Sequence, residues 1–352
     1  MTAAPAPDRI EVIAPNLKRR LSGVTATVLR LIPAQAGLIG IVATGPGLPG
    51  ELPHLPLWRV AMLPRDRWRV WHARRNSEML AGLILRQLFR RRLKLMFTSA
   101  AQRRHSAYTR WLIRRMDAVV ATSPEAASYL DRPARVILHG IDTGVFHPPA
   151  DRAAARRALG LPDDALILGC FGRLRAQKGT DVLIGAALDV LPRHPRAMLV
   201  FTGRATRGNE AFVAALRERI AAAGLADRIR FLGELPWEQV VTAYQALDLF
   251  VAPARWEGFG LTPLEAMACG VPAVATRVGA FAAQIENGET GRLIPPGDAR
   301  ALAAALDAML ADPAALAAAG QAGRARVAAL FDIRREAAEL VEVYRGLLDG
   351  AA

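Results

Sequence analysis

Short apolar runs alternate along this chain with longer stretches in which apolar residues recur every third or fourth position. In the first half, residues 10–14, 39–43, 58–63, 69–73, 93–97, 118–122 and 135–138 read as strands, bounded by Gly, Pro and polar clusters. Helical periodicity fills the gaps: 25–32, then 77–92 with Leu80, Leu83, Ile84 and Leu88 on one face, then 102–116. The second half restarts the alternation, with strands at 166–171, 197–202, 229–232, 249–252 and 272–276 and a short one within 288–297. A helix is expected at 180–191, and the chain is helical from 298 onward, ending in 333–348. Strands alternating with helices in both halves predict an α/β protein of two doubly wound, Rossmann-like domains facing a cleft. The segment Phe146-His147-Pro148-Pro149 reads as a linker, giving an expected first domain of 1–148 and a second of 149–332. A last helix within 333–352 is expected to pack back on the first domain.

The stretch from Glu257 to Glu265 runs from the end of one predicted strand into a helix. Gly258 and Gly260 let the backbone approach a ligand closely, Thr262 suits an N-cap and Pro263 the first helical turn. Free N–H groups at such a helix start favour an anion. Glu257 and Glu265, with seven residues between them, flank this cradle. Carboxylates repel phosphate, so they accept hydrogen bonds from hydroxyls or act as an acid/base pair. Phosphate held by backbone beside hydroxyls held by carboxylate suits a sugar nucleotide. A second loop, Gly172-Arg173 to Lys178-Gly179, places two cations after a strand, at the usual ligand edge of a parallel sheet. Ser22-Gly23 opens a first-half helix as a further phosphate-binding candidate, or as an ordinary cap. His72 ends a strand, followed by Arg74 and Arg75, and these are read as contacts to a sugar hydroxyl and to anionic groups.

Composition narrows the class. With 352 residues, 52% apolar and 22% charged, the chain is a folded globular protein. Its two cysteines, Cys170 and Cys269, each lie in an apolar run and read as buried thiols of a reducing compartment. The start has no basic segment leading into an apolar core, and the apolar stretch 24–42 is broken by Arg30, Pro33 and Gln35, so neither a signal peptide nor a membrane span is expected. The charge is one-sided: residues 1–150 hold 23 Lys/Arg against 9 Asp/Glu, and residues 151–352 hold 23 against 23. Such asymmetry implies an anionic partner for the first half. Arg103, Arg104, Arg110, Arg114 and Arg115, interleaved with Tyr108 and Trp111, suit a membrane interface or a lipid head group. Nucleic acid would satisfy the charge but leaves the glycine loops of the second half without a purpose.

Gly172-Arg173…Lys178-Gly179, then Phe231-Leu232-Gly233, then Glu257 and Glu265, in that order, resemble the retaining glycosyltransferases of family four. Ser22-Gly23 and His139-Gly140-Ile141-Asp142 fit the same pattern, and the resemblance spans essentially the whole chain. Residues 72–146 are also similar to the bacterial lipopolysaccharide-core mannosyltransferases. The resemblance implies the GT-B fold, with the nucleotide sugar held mainly by the second domain. Arg173 and Lys178 would neutralise the diphosphate, and Glu265 would hold the ribose hydroxyls. Glu257 and the amides of Phe259 and Gly260 would hold the donor sugar, with Gly258 in the same loop. The amides of Leu261 and Thr262 would lie near phosphate. Gly23 would close over the diphosphate, His72 would touch the transferred sugar, and Gly233 would line the base pocket. Arg74, Arg75, Arg103 and Arg104 would face the acceptor or a membrane. Relatives often carry two adjacent glycines where this chain has Ser22-Gly23, so the phosphate role of Gly23 is the one departure. The implied reaction needs no metal or other cofactor and moves a hexose, with GDP-mannose as the leading donor and a UDP-hexose as the alternative. The implied acceptor is a lipid-linked saccharide at the cytoplasmic face of the inner membrane. A sugar-nucleotide epimerase on the same fold is the remaining enzymatic reading.

Overall fold

The computed structural model describes residues 6–18, 23–49 and 51–350, so Ser22 lies outside the described residues. Two compact units emerge: Met1–Asp142 together with Asp332–Ala352, and Thr143–Phe331. In the first, the chain runs β1 (Val12–Pro15), α1 (Gly23–Ala36), β2 (Ile41–Thr44), α2 (Leu57–Met62), β3 (Arg69–Ala73), α3 (Asn76–Gln87), β4 (Leu93–Ser99), α4 (Ala107–Ile113), β5 (Ala118–Ala121), α5 (Pro124–Ser128) and β6 (Arg135–Val136). The second holds α6 (Arg152–Ala158), β7 (Leu166–Phe171), α7 (Thr180–Val190), β8 (Ala197–Thr202), α8 (Glu210–Ala222), β9 (Ile229–Gly233), α9 (Trp237–Gln245) and β10 (Leu249–Ala252). It continues through α10 (Thr262–Ala268), β11 (Ala273–Thr276), α11 (Phe281–Gln284), β12 (Gly291–Ile294), α12 (Ala299–Leu310) and α13 (Pro313–Leu330), and α14 (Ile333–Leu348) returns the chain to the first unit.

Each unit has a six-stranded sheet whose neighbouring strands are all parallel. Helices cover both faces of such sheets, which is why β1, β2, β8, β10 and β11 are buried at every position and read as unbroken apolar runs. The first sheet has the order β2-β1-β3-β4-β5-β6 and the second β12-β11-β10-β7-β8-β9. Strand order therefore reverses between β1 and β3 in one and between β7 and β10 in the other. In open parallel sheets, ligands bind at the carboxyl ends of the strands beside that reversal.

Helix α14 buries Ile333, Ala337, Leu340, Val341, Tyr344 and Leu347 in the core formed with α1, β1 and β2. Each large apolar side chain removed from water contributes roughly 1.5–3 kcal/mol, so the helix belongs to the first unit's core. The expected boundaries at 148/149 and 332/333 are corrected to 142/143 and 331/332. Phe146 is the reason for the first: it is 2% exposed and packs edge-on against Trp237 and Tyr244, inside the second unit, and is no linker residue. Residues 58–63 were expected as a strand, but 58–62 fall in α2 and Leu63 caps it. Their apparent alternation does not mark a sheet face, because Trp58 and Met62 are 60% and 70% exposed while Val60 and Leu63 are the buried positions.

Candidate functional site

At the carboxyl ends of β7 and β10, the second unit has a pocket lined by Arg173, Lys178, Pro253, Glu257, Thr262 and Phe281 among others. The β7–α7 loop brings the cations. After β7 the chain makes a short 3-10 turn, Ala176–Lys178, which ends at Gly179 with φ +70°. A Cβ on Gly179 would sit 1.9 Å from the Pro253 carbonyl oxygen, so only glycine lets this turn press against the end of β10. Arg255 locks the two loops together. Its Nη1 and Nη2 donate to Asp181 Oδ1 and Oδ2 at 2.7 Å each, and its backbone N–H donates to the Gln177 carbonyl at 2.9 Å. These hydrogen bonds hold the Asp181 carboxyl below its usual range and the Arg255 guanidinium above its own. Neither residue was singled out in the sequence; an acid in the first turn of α7 and a basic residue two positions before Glu257 are the signals that were there.

The β10–α10 loop brings the carboxylate. Lys178 Nζ donates to Glu257 Oε2, an ion pair within the pocket, and Gly258 N–H donates to Glu257 Oε1 at 3.1 Å. Gly260 has φ +76°, and a Cβ there would meet the Phe281 ring at 2.4 Å and Glu257 Cγ at 2.8 Å. Gln284 Nε2 fixes this turn by donating to the carbonyls of Gly260 (2.8 Å) and Phe259 (3.3 Å), and Phe259 itself is buried. Leu261, not Thr262, is the N-cap of α10. Its carbonyl accepts from Glu265 N–H at 3.0 Å, no side-chain oxygen caps the helix, and Thr262 and Pro263 occupy the first turn. Arg173, Lys178, Glu257 and Thr262 thus share one pocket, but Glu265 is apart from that lining, 6% exposed, with its Oε2 accepting from the Tyr244 hydroxyl at 2.7 Å. Tyr244 is anchored in turn among Phe171, Phe250 and Phe146. Gly233 ends β9 at φ +79°, and its carbonyl accepts from Gly203 N–H at 2.7 Å. Burial pushes the thiols of Cys170 and Cys269 up to about 12, which disfavours the reactive thiolate. Among the described residues, no group of three or more His, Cys, Asp or Glu is placed to hold a metal ion.

In the first unit, His72 lines a small pocket with Arg74, Thr98, His139 and Glu336. It is fully buried, with Nδ1 2.7 Å from the Tyr344 hydroxyl and Nε2 2.6 Å from Thr98 Oγ1. Gln35 Nε2 donates to Tyr344 Oη at 3.1 Å, which directs the phenolic O–H to His72 Nδ1 and leaves Nε2 to carry the proton toward Thr98. Burial, with the nearby charges of Arg74 and His139, holds His72 well below the ordinary histidine range, so it is neutral. The contacts come from β4 and from α14, 272 residues away, which no local pattern announces. A histidine buried neutral stabilises the fold above its unfolded pKa of 6.5, and that contribution is lost as pH falls toward the depressed folded value. The stability difference between wild type and His72→Gln should therefore narrow from about pH 7.5 to about pH 5 in chemical denaturation, whereas a flat difference would contradict a buried neutral ring.

Beside the first sheet's reversal point, Arg75 Nη1 donates to Asn16 Oδ1 (2.8 Å) and to Glu78 Oε1 (2.7 Å), and Arg74 N–H donates to Glu78 Oε2 (2.8 Å). Glu78 is fully buried, an anchor that sequence reading missed. Arg103 and Arg104 are exposed in the loop after β4, on the same carboxyl edge. Gly23 is the first residue of α1.

Residues 151–326 match the family model for glycosyl transferases group 1. The chain is 51% identical over 349 residues to the lipopolysaccharide core biosynthesis mannosyltransferase LpsB of Rhizobium meliloti (strain 1021), covering 96% of this chain and 98% of that protein. It is 51% identical over 346 residues to the lipopolysaccharide core biosynthesis mannosyltransferase LpcC of Rhizobium leguminosarum bv. viciae, covering 96% and 97%. Among solved structures, Anabaena Alr3699/HepE in complex with UDP matches with a TM-score of 0.83 at 20% identity, over 96% of this chain and all of that one, which places the fold with the GT-B glycosyltransferases. The C-terminal domain of the group 1 glycosyl transferase LpcC from Francisella tularensis matches 55% of this chain and 99% of its own, at 33% identity and a TM-score of 0.53. With two parallel six-stranded sheets, a cation–carboxylate pocket at the second reversal point and these matches, the chain belongs to the glycosyl transferases group 1.

Proposed function

We propose that the enzyme transfers mannose from GDP-mannose to a lipid-linked lipopolysaccharide core acceptor, with retention of anomeric configuration. The observation that carries glycosyl transfer is Arg173, Lys178 and Glu257 in one pocket at the β7/β10 reversal point. Mannose and the core acceptor rest on the two relatives named as core mannosyltransferases, each half identical over nearly the whole chain. In this reading Arg173 and Lys178 bind the diphosphate and stabilise the negative charge that grows on it as the bond from the anomeric carbon to phosphate oxygen breaks. Glu257 accepts from the sugar hydroxyls and Glu265 from the ribose. The amides of residues 258–262 lie along sugar and phosphate, while Gly233 borders the base. The acceptor hydroxyl oxygen bonds to the same face of the sugar, and its proton passes to the departing phosphate. Two protein cations supply the charge stabilisation that a metal supplies elsewhere.

Association with the cytoplasmic face of the membrane is part of the proposal. Helices α2, α3 and α4 each end where the next strand begins, so their carboxyl ends share the amino edge of the first sheet. Exposed Met62, Trp68, Leu88, Phe89 and Trp111 lie on or beside these ends, and exposed Trp58 lies in the first turn of α2. Lys94 and Arg115 stand over the Trp68 and Trp111 rings at 5.4 and 3.9 Å. Aromatic rings that present both apolar faces and cations suit an anionic bilayer.

The test is transfer from GDP-mannose, and from UDP-hexoses in parallel, to a lipid A–Kdo acceptor in phosphatidylglycerol vesicles. Mannosylated product, together with flotation of the protein on anionic but not neutral vesicles, is expected. Transfer from a UDP-hexose alone would overturn the mannosyl reading, and sugar isomerisation without acceptor would mark an epimerase.

A further inference from the structure

The pocket's lysine already has a partner. Lys178 Nζ is paired with Glu257 Oε2, and the two side chains are 29% and 18% exposed. The carboxylate is the less mobile of the two. Glu257 Cγ lies 2.8 Å from where a Gly260 Cβ would be, and Glu257 Cβ 3.1 Å from where a Gly279 Cβ would be, with both glycines at positive φ. Two bare backbone turns therefore close on the glutamate stem, and Gly258 N–H holds its second oxygen. Lysine is a point charge on a flexible four-carbon stem, so the lysine is the member that moves.

From this we infer that Glu257 is a specificity-determining residue that discriminates against the enzyme's own leaving group; the inference rests on reading the pocket as a nucleotide-sugar site. A nucleoside diphosphate by itself must draw Lys178 away from Glu257 and then lie beside a carboxylate that has gained nothing in exchange. A nucleotide sugar makes the same demand but brings hydroxyls that donate to the released carboxylate. The ion pair thus weakens binding of the free diphosphate more than binding of the donor. After transfer, the loss of the sugar lets Glu257 reclaim Lys178, which favours departure of the product.

Calorimetric titration of GDP alone and UDP alone into wild type and Glu257→Gln tests this, with Glu257→Ala in parallel should the glutamine variant fail to fold. Neutralising the carboxylate should tighten diphosphate binding about two- to fivefold, the range expected when a partly exposed charge pair is relieved. In the same variant, kcat/KM with GDP-mannose should fall. In a Lys178→Ala background the gain from Glu257→Gln should shrink, because no pair remains to be broken. Unchanged or weaker diphosphate binding in Glu257→Gln would overturn the inference and leave the donor site standing. A full gain in the Lys178→Ala background would reduce the effect to plain repulsion and overturn the role of the pair. If neither diphosphate binds any of these proteins, the nucleotide-sugar reading falls with the inference.

Discussion

Replacing Lys178 with alanine lowers kcat/KM for the nucleotide-sugar donor by about 10²–10³, the usual cost of removing one preorganised group from developing negative charge. The fold should survive the change, because the lysine is partly exposed and its pair with Glu257 contributes at most about 1 kcal/mol to stability. Loss should appear in kcat as well as in KM, since charge on the diphosphate grows as the glycosidic bond breaks and the cation is worth most at that point. Lys178→Arg should recover only part of the activity. The guanidinium is wider than an ammonium, and Gly179 is pressed against Pro253, so the turn cannot retreat to make room. Steady-state kinetics alongside thermal unfolding would check both halves. Activity within threefold of wild type would remove Lys178 from the transition state, and a collapsed melting curve would make it a structural residue.

What was legible from sequence shares a property: it is written within one loop or one element. Strands β7, β8 and β10 and helix α14 have the bounds that periodicity predicts, because largely buried apolar strands and a strongly amphipathic helix leave unambiguous patterns. Arg173, Lys178 and Glu257 were likewise marked by glycines at strand ends. Helix α2 was misread because a six-residue segment is too short for its period to be told from alternation. Phe146 was misread because two prolines follow it, although its ring belongs to an aromatic core formed with Trp237 and Tyr244. Partner choice was the information that sequence lacked. The Tyr244 hydroxyl, on another helix, donates to Glu265, and the Tyr344 hydroxyl meets His72 from the far end of the chain. Such pairings depend on tertiary geometry, which a one-dimensional pattern does not encode.

The same helix carries the second large effect. Glu336, 4% exposed on α14, accepts from Gly140 N–H through Oε2 and meets His139 Nδ1 with Oε1, both at 2.7 Å. Ile333 N–H donates to the Ile141 carbonyl at 3.0 Å, and a Cβ on Gly140 would lie 2.6 Å from Ile333 Cα, so this carboxylate ties residues 139–141 to the start of α14 where backbone meets backbone. Alanine at position 336 removes the acceptor common to a buried amide and a buried imidazole, and should destabilise the first unit by about 2–5 kcal/mol. Glutamine should restore most of that. Its carbonyl oxygen can accept from Gly140, and its amide can donate to His139 Nδ1 once the ring moves its proton to Nε2. Hydrogen exchange at Gly140 and along α14 is the local measurement, with strong loss of protection expected in Glu336→Ala and near-native protection in Glu336→Gln. Equal protection in wild type and Glu336→Ala would mean that apolar packing alone seats α14. Equal loss in both variants would mean that the negative charge, not the hydrogen-bond geometry, holds His139.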